Sequence, residues 1–479
     1  MPNKETVRRA GHIMELIKSV LLGLLVFSMI SLVVVYIGGT SVYETVSAKN
    51  NPTKRFDKLW SIEGGAAAVG LDAGRLLPEF IGYRQAGGTP TCSIGSGDAA
   101  AELYELITPC LLELFGSSSV CRPLAQNDGE NRIAAAVRGD EFIYLRYHVP
   151  VLYQLIYAYA SDKLTIAESE VAPGESGSIS AYISELVIIP DKEYTAAAHR
   201  YIAYASDGEG GYFEFRPAEH VVTSSFYLSK LAESGANIDT HTFRFAEDAQ
   251  FPATQPIIDA PLSYTVIETA PVVLTDDSIL SPLLRLFGYN PDKLSSYVDD
   301  TGARVFVDSG SRLRIGGDTV SFLTSDAASG TARGIGIDSM LGYSSEDTLN
   351  LFDKLTAVDN LIRSLGEISP SLIGGEASLC LGSVYSTDTL LVIEYFPTYD
   401  NIRIAGDIVL RAVLTQDTIC QVELRSVNIT AGSENAYCLD QNYTLRKLID
   451  LGKLPPAQKI GGMQLRYDGA DAAWSVILN

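Results

Sequence analysis

The chain has 479 residues, of which 46% are hydrophobic and 20% charged, and this composition excludes a wholly disordered, collagen-like or low-complexity protein. Its 58 acidic residues outnumber its 36 lysines and arginines, so the net charge is −22. Such a surface repels phosphate backbones, which argues against nucleic acid as a partner. The length is sufficient for a membrane segment and two or three folded modules.

The N-terminal region differs from the rest of the chain in charge and hydropathy. Residues 1–38 carry four basic and two acidic side chains, and residues 19–39 form a run of 21 without any charge. A helix of this length spans the hydrocarbon core of a bilayer. Because the basic residues precede the run, we expect the short N-terminus to be cytoplasmic and the bulk of the chain to be extracytoplasmic.

A cleaved signal peptide is the alternative interpretation of this region. Residues 46–48 (Val-Ser-Ala) resemble a cleavage site, but the apolar run is longer than the roughly 7–15 residues of a signal peptide. We therefore predict a single-pass protein of the cell membrane, with a cytoplasmic tail (1–18), a transmembrane helix (19–39) and a polar linker (40–58).

Small residues within the predicted anchor suggest an interface with another membrane helix. Helices associate in a bilayer through close backbone approach and polar contacts. Ser28 and Ser31 are three residues apart and share a helix face, whereas Gly23 lies off that face. Because small residues are common in membrane helices, a simple tether is the competing interpretation.

Residues 59–265 are predicted to form a membrane-proximal α+β domain. Apolar residues recur at helical spacing over 103–115, and the segment 141–156 begins with strand-like alternation before its proline and continues as a helix. Three strand-like pieces follow at 185–190, 199–206 and 210–217. Prolines among polar residues then mark the main boundary between roughly 250 and 280.

The second half is predicted to contain a middle segment (275–343) and a C-terminal α+β domain (344–479). The middle segment has a helix near 281–287 and then three short strands, which is typical of a β-meander. In the C-terminal domain we predict a helix over 344–365 that is capped by Ser344 and Asp347. The remaining elements are four β stretches (378–385, 389–396, 408–415 and 419–429), a helix (443–451) and a closing hairpin (463–478).

These elements predict an α+β fold in which antiparallel sheets carry helices on one face. The six cysteines fall three to each half: Cys92, Cys110, Cys121, Cys380, Cys420 and Cys438. Buried, reduced cysteine is the simplest interpretation, and one disulfide in each half stays open.

Catalytic and metal-binding patterns are absent from the sequence. The histidines at 199, 220 and 241 do not cluster with cysteine at zinc spacing. Asp308 and Asp300 resemble aspartic-protease triplets, but they are eight residues apart on one predicted hairpin, whereas a dyad needs loops from two lobes. We interpret both as turn residues and expect no catalytic residue, metal ligand or cofactor.

Several stretches resemble the YycH family, with features shared by the related YycI proteins. In the segment 389–407, Glu394-Tyr395-Phe396 stands where the family has Phe-Asp-Tyr. In the closing hairpin the family has Pro-x-Trp, and here Ala472 stands in the place of that proline, two residues before Trp474. The other similar stretches are FIYLRYHVPVLYQL (142–155), LFGYN (286–290), RVFVD (304–308) and RLRIG (312–316).

The resemblance implies a non-catalytic regulator of a two-component system. Members of this family are single-pass accessories of an essential cell-wall sensor histidine kinase in Gram-positive bacteria, and they contact the kinase through membrane helices and extracytoplasmic domains, often with a YycI-like protein. The resemblance does not indicate whether the protein activates the kinase or restrains it. Two other interpretations stay open: a cell-envelope ligand-binding module, and an extracytoplasmic hydrolase that uses Asp308 or neighbouring carboxylates.

Overall fold

The computed structural model describes residues 71–478, apart from 117–119, 162–180, 192–200, 218–230, 325–333, 343–348 and a few shorter stretches (232, 234–237, 239, 249, 293–294, 309, 387–389, 407 and 456–457). The predicted tail, transmembrane helix and linker therefore lie outside the described residues. Within the described part of the chain, no helix is long and apolar enough to cross a membrane.

Residues 61–479 form one compact unit, and the described part of that unit is an α+β fold with three sheets of mostly antiparallel strands. The predicted fold class is confirmed at this level. The elements of its first part are β1 (Phe80–Arg84), β2 (Thr91–Ser93), α1 (Gly97–Phe115), β3 (Val120–Leu124), α2 (Gln126–Val137), β4 (Phe142–Leu152), α3 (Tyr153–Ser161), β5 (Tyr182–Pro190), β6 (Tyr201–Ser206), β7 (Tyr212–Arg216), β8 (His241–Phe245) and β9 (Pro256–Ile258).

The first sheet has nine strands in the order β3-β7-β6-β5-β4-β1-β2-β8-β9, and each neighbouring pair is antiparallel. The strands predicted near 185–190, 199–206 and 210–217 are confirmed as β5, β6 and β7. The predicted change from strand to helix after Pro150 is also confirmed, because β4 runs through the proline and α3 begins at Tyr153.

Helices cover both faces of this sheet. Neighbouring residues of a strand point to opposite faces, and Arg132 of α2 contacts Glu214, whereas Phe115 of α1 packs on Phe215 with ring centroids 5.0 Å apart. The prediction of helices on one face is therefore wrong for this sheet. The physical reason is that β4, over most of its length, and β6 are buried on both faces, so each face needs cover.

The second part contains a sheet of three strands and a sheet of twelve. Its elements are β10 (Ser263–Ala270), α4 (Asp277–Leu286), β11 (Ser296–Val298), β12 (Arg304–Asp308), β13 (Ser311–Gly316), β14 (Thr319–Thr324), β15 (Ile335–Gly336), α5 (Ile337–Leu341), α6 (Leu351–Ile368), β16 (Gly374–Gly375), β17 (Ser378–Ser386), β18 (Leu391–Tyr399), β19 (Ile402–Ile404), β20 (Leu410–Leu414), β21 (Thr418–Arg425), β22 (Asn428–Tyr437), α7 (Gln441–Asp450), β23 (Ile460–Asp468) and β24 (Asp471–Leu478).

The predicted meander is confirmed as β12, β13 and β14, which are antiparallel neighbours. The twelve-stranded sheet runs β11-β12-β13-β14-β21-β20-β18-β19-β23-β24, with β15 on β21 and β17 on β18, and the small sheet is β10-β22-β16. The meander and the C-terminal strands thus share one sheet through the pairing of β14 with β21. The domain limits at 265, 275 and 344 stay predictions.

Helix α6 begins later than the sequence pattern predicted. Its N-cap is Asn350, whose side chain accepts from the backbone N–H of Asp353 at 3.0 Å, while the Asp353 carboxylate accepts from the Asn350 N–H at 3.1 Å. The predicted cap residues Ser344 and Asp347 lie outside the described residues, but α6 itself begins after Asn350, so the predicted start is wrong. Both sites have a polar residue followed three positions later by aspartate, so spacing alone does not distinguish them.

One hydrophobic core joins the first sheet to the C-terminal strands. Phe80 and Tyr144 of the first sheet belong to the same buried cluster as Ile402, Leu465 and Tyr467. The core therefore brings residues from opposite ends of the chain together, and the charged clusters described below lie beside it.

All six cysteines are free thiols in the structure, five of them buried and Cys121 half-buried. This confirms the interpretation of buried, reduced cysteine. Burial raises the pKa of Cys121, Cys380 and Cys438 to about 11, which leaves these thiols protonated and weakly nucleophilic near neutral pH.

Candidate functional site

A buried cluster of charged and polar side chains lies where the first sheet meets the C-terminal strands; we call it the Glu79 cluster. One face of β4 carries every second side chain of the strand: Phe142, Tyr144, Arg146 and His148. On this face the polar Arg146 and His148 follow the two aromatic residues. Arg146 and His148 are 7% and 8% exposed. The other members are Glu79, just before β1, Asn401, between β18 and β19, and Gln464 in β23.

An ion pair between Glu79 and Arg146 is the centre of the Glu79 cluster. Nε of Arg146 lies 2.5 Å from Oε1 of Glu79, and this oxygen also accepts from Nε2 of Gln464 at 3.3 Å. A further nitrogen of Arg146 donates to the Met463 carbonyl at 3.3 Å. Burial by itself would lower the pKa of Arg146, but the attraction of Glu79 and neighbouring groups raises it overall, so the guanidinium stays charged.

His148 lies beside this ion pair as a neutral imidazole. Its Nδ1 is 3.6 Å from Oε2 of Glu79, and its Nε2 is 3.2 Å from Oδ1 of Asn401. Burial lowers the pKa of His148, and Arg403 and Arg146 lower it further, while Glu79 and Asn401 act in the opposite direction. The net effect is a lowered pKa, so a proton on this ring is disfavoured.

Asn401 is fixed by the turn that carries it. Asp400 and Asn401 have φ of 50° and 59°, in the left-handed region that Asp and Asn tolerate best among residues with a side chain. Nδ2 of Asn401 donates to the Pro78 carbonyl at 2.6 Å. The tight turn between β18 and β19 therefore ties a C-terminal loop to the residue that precedes Glu79.

Two arginines, Arg403 and Arg466, lie next to the Glu79 cluster; we call them the arginine pair. They are paired in register across the parallel strands β19 and β23, so both point to the same side of the sheet from strands about 4.8 Å apart. The guanidinium of Arg403 lies 4.2 Å from the centroid of the Phe396 ring. Burial lowers the pKa of Arg403 and the charge of Arg466 adds to this, while Glu79 opposes it.

A second buried cluster, the Asp359 cluster, joins the same two parts of the chain. The Asp359 side chain is 1% exposed, and its Oδ1 lies 3.0 Å from Nε of Arg75 and accepts from the Tyr395 hydroxyl at 3.1 Å. Its Oδ2 accepts from the backbone N–H of Asp72 at 3.2 Å. Burial raises the pKa of Asp359, and Arg75 opposes that rise.

None of these clusters was predicted from the sequence, although two local signals were present. Arg146 and His148 interrupt an alternating apolar run in β4, and Asp359 occupies a position on the apolar face of α6 between Leu355 and Ile362. Charged residues at such positions mark buried, paired groups. Their partners are remote in sequence and carry no pattern of their own.

The predicted interface residues of the anchor, Gly23, Ser28 and Ser31, lie outside the described residues. His199 and His220 do as well, and His241 lies in β8. Within the described part of the chain, no group of three or more His, Cys, Asp or Glu side chains is arranged to hold a metal ion. No cofactor site is derived from the residues described.

Asp300 and Asp308 lie where the turn interpretation placed them. Asp308 ends β12 opposite Ser311, and Asp300 is exposed in the preceding turn. That turn is held by Asp299, whose Oδ1 accepts from the N–H groups of Thr301 and Ala303 and whose Oδ2 lies 2.8 Å from Nε of Arg314. These contacts hold the pKa of Asp299 well below its usual range, chiefly through Thr301 and Arg314. No sequence pattern singled out Asp299 beforehand.

Glu113 in α1 is a further titratable group that the sequence did not reveal. Its Oε2 is buried without a hydrogen-bond partner among the described residues, and burial raises the pKa of the carboxyl to about 7. A carboxyl with this pKa exchanges protons near neutral pH. Its charge adds to the effect of burial in raising the pKa of the nearby Cys110 thiol.

Because His148 is buried and neutral, we predict that acidification below about pH 6.5 lowers the stability of the fold. Above about pH 6.5 the histidine is neutral in both the folded and the unfolded state. Below about pH 6.5 the histidine of the unfolded chain binds a proton, but the folded chain stays unprotonated because the pKa of His148 is lowered. The free energy of unfolding therefore decreases by up to ~1.4 kcal/mol per pH unit until the pH reaches the pKa of the folded state. Glu113 acts in the opposite direction, because its pKa is raised.

The check is a comparison of wild type with His148→Asn in urea unfolding between pH 5 and 8. We expect the difference in unfolding free energy between the two proteins to shrink as the pH falls, because only the wild type carries the titrating ring. A difference that does not vary with pH would contradict a buried neutral histidine.

Comparison with known proteins gives no relative for this arrangement. No protein-family model matches the chain, and no match was found among curated proteins or solved structures.

Proposed function

We propose that the chain is a membrane-anchored, extracytoplasmic regulator of a two-component sensor histidine kinase, of the YycH type, and that it acts by contact and not by catalysis. The observation that carries the proposal is the uncharged run at 19–39 with basic residues on its N-terminal side. In this proposal residues 61–479, which form one compact unit, are the extracytoplasmic part.

Two features of the described structure support a role in binding another protein. The Glu79 cluster ties β4 to β23, and the Asp359 cluster ties the segment before β1 to α6 and β18. The ectodomain is therefore suited to present fixed surfaces to a partner. Exposed apolar side chains lie on the edge strand β11, where Tyr297 and Val298 are 55% and 66% exposed. The kinase, and a YycI-like protein beside it, are the proposed partners, reached through the membrane helix and the ectodomain.

The test of the anchor as an interface is a pair of double variants. Ser28→Leu with Ser31→Leu fills the face shared by the two serines, which removes close approach and polar contact but keeps the run apolar. We expect about tenfold weaker crosslinking to the sensor kinase, with membrane insertion unchanged. The matched control is Val26→Leu with Val33→Leu, which alters the opposite face of the helix.

The outcome of this test decides the role of the helix. Equal crosslinking by the serine variant, the valine variant and the wild type would show that the helix is only a tether. Recovery of a mature chain that starts near Lys49 in the medium would contradict the anchor itself.

A further inference from the structure

Positive charge exceeds negative charge around the arginine pair, although the protein as a whole has a net charge of −22. Three guanidiniums, those of Arg146, Arg403 and Arg466, lie close together. Two carboxylates oppose them: Glu79, which forms an ion pair with Arg146, and Glu185, whose charge also acts on Arg146. Glu79 is already used by Arg146 and Gln464, which both contact its Oε1. Two carboxylates therefore stand against three guanidiniums, and neither Glu79 nor Glu185 forms an ion pair with Arg403 or Arg466.

The arginine pair also has unused hydrogen-bond donors. Nε of Arg466 is buried and has no hydrogen-bond partner among the described residues, and another of its nitrogens donates to Oε1 of Gln464. Arg403 stacks on Phe396 but makes no hydrogen bond or ion pair with the described part of the chain. Buried donors of this kind are normally satisfied.

The two arginine side chains are half-buried, so one side of each remains open to solvent. The two guanidiniums lie on the same side of adjacent parallel strands, and each carries several N–H donors in a planar fork. This fork geometry matches the oxygens of a carboxylate or a phosphate. Stacking on Phe396 orients Arg403 without using its N–H donors.

We propose that Arg403 and Arg466 bind a small anionic ligand through a carboxylate or phosphate group. The bound oxygens would accept from the unused donors of the pair and supply the missing negative charge. The inference does not rest on the regulatory function proposed above, because it follows from local charge and unsatisfied donors alone.

The test is calorimetric titration of the purified full-length chain with inorganic phosphate and, separately, with citrate. We expect saturable binding of at least one of them, and the two titrations distinguish phosphate from carboxylate recognition. Arg403→Gln and Arg466→Gln should each weaken that binding about tenfold or more, since hydrogen bonds to charged groups are the strong ones. Arg312→Gln, an exposed arginine in β13, is the control and should bind as the wild type does.

Thermal unfolding without phosphate or citrate separates a binding role from a structural one. If the arginine pair serves to bind an anion, then Arg403→Gln or Arg466→Gln removes one of two repelling positive charges in the anion-free protein. Either variant should therefore melt at the same temperature as the wild type or at a higher one. A clearly lower melting temperature for Arg403→Gln would show that its contact with Phe396 is structural, and the proposal would fail. It would also fail if neither anion binds, or if the glutamine variants bind as tightly as the wild type.

Discussion

Replacing Glu79 by glutamine is expected to destabilise the chain by about 3–5 kcal/mol, the usual cost of breaking a buried ion pair from one side. The change removes the carboxylate that is ion-paired with Arg146 and also attracts Arg403, and it leaves Glu185 as the remaining carboxylate that acts on Arg146. Arg146→Met should cost less, because Glu79 then keeps Gln464 as a donor and lies 3.6 Å from His148, which can take up a proton.

Urea unfolding at pH 7 measures this difference. The control is Glu209→Gln, an exposed glutamate in the turn before β7, which should change stability by no more than about 0.5 kcal/mol. The double variant Glu79→Gln, Arg146→Met should be more stable than Glu79→Gln alone, since it removes the buried charge that the single change leaves unpaired. Equal stability of Glu79→Gln and wild type would contradict the described ion pair.

Replacing Asp359 by asparagine is expected to cost a similar ~3–5 kcal/mol. The Asp359 side chain is 1% exposed; its carboxylate pairs with Arg75 and accepts hydrogen bonds from the Tyr395 hydroxyl and the Asp72 N–H. An asparagine amide would place its own N–H groups against these donors. Tyr395→Phe removes one neutral donor from the same cluster and should cost less, about 1–3 kcal/mol.

The exposed Asp450 at the end of α7 provides the matched control, because Asp450→Asn makes the same chemical change at the surface. We expect Asp450→Asn to be the most stable of the three variants, Tyr395→Phe to be less stable, and Asp359→Asn to be the least stable. An Asp359→Asn protein as stable as its surface counterpart would show that the carboxylate is not a buried acceptor.

Local periodicity accounts for the parts of the fold that were predicted correctly. Strands β13 and β14 of the meander alternate between buried and more exposed residues, and α1 repeats its apolar residues at helical spacing. The helices on both faces of the first sheet were missed because the two-sided burial of β4 and β6 was not recognised as a sign of a central, covered strand.

The buried clusters depend on contacts that no local pattern encodes. Asn401 bonds to Pro78 across 323 positions, and Gln464 bonds to Glu79 across 385. A single sequence shows that Arg146, His148 and Asp359 occupy unusual positions, but it does not show which residues meet them. The start of α6 was missed for a simpler reason, since the capping pattern at Ser344 is repeated six residues later at Asn350.

The central claim, that the chain regulates a sensor kinase from the membrane, is tested most directly by the phosphorylation of the kinase's response regulator in cells that lack the chain. We predict that deletion changes the phosphorylated fraction, that the full-length chain restores it, and that a chain with a scrambled but equally apolar segment at 19–39 does not. An unchanged phosphorylated fraction after deletion would contradict the claim.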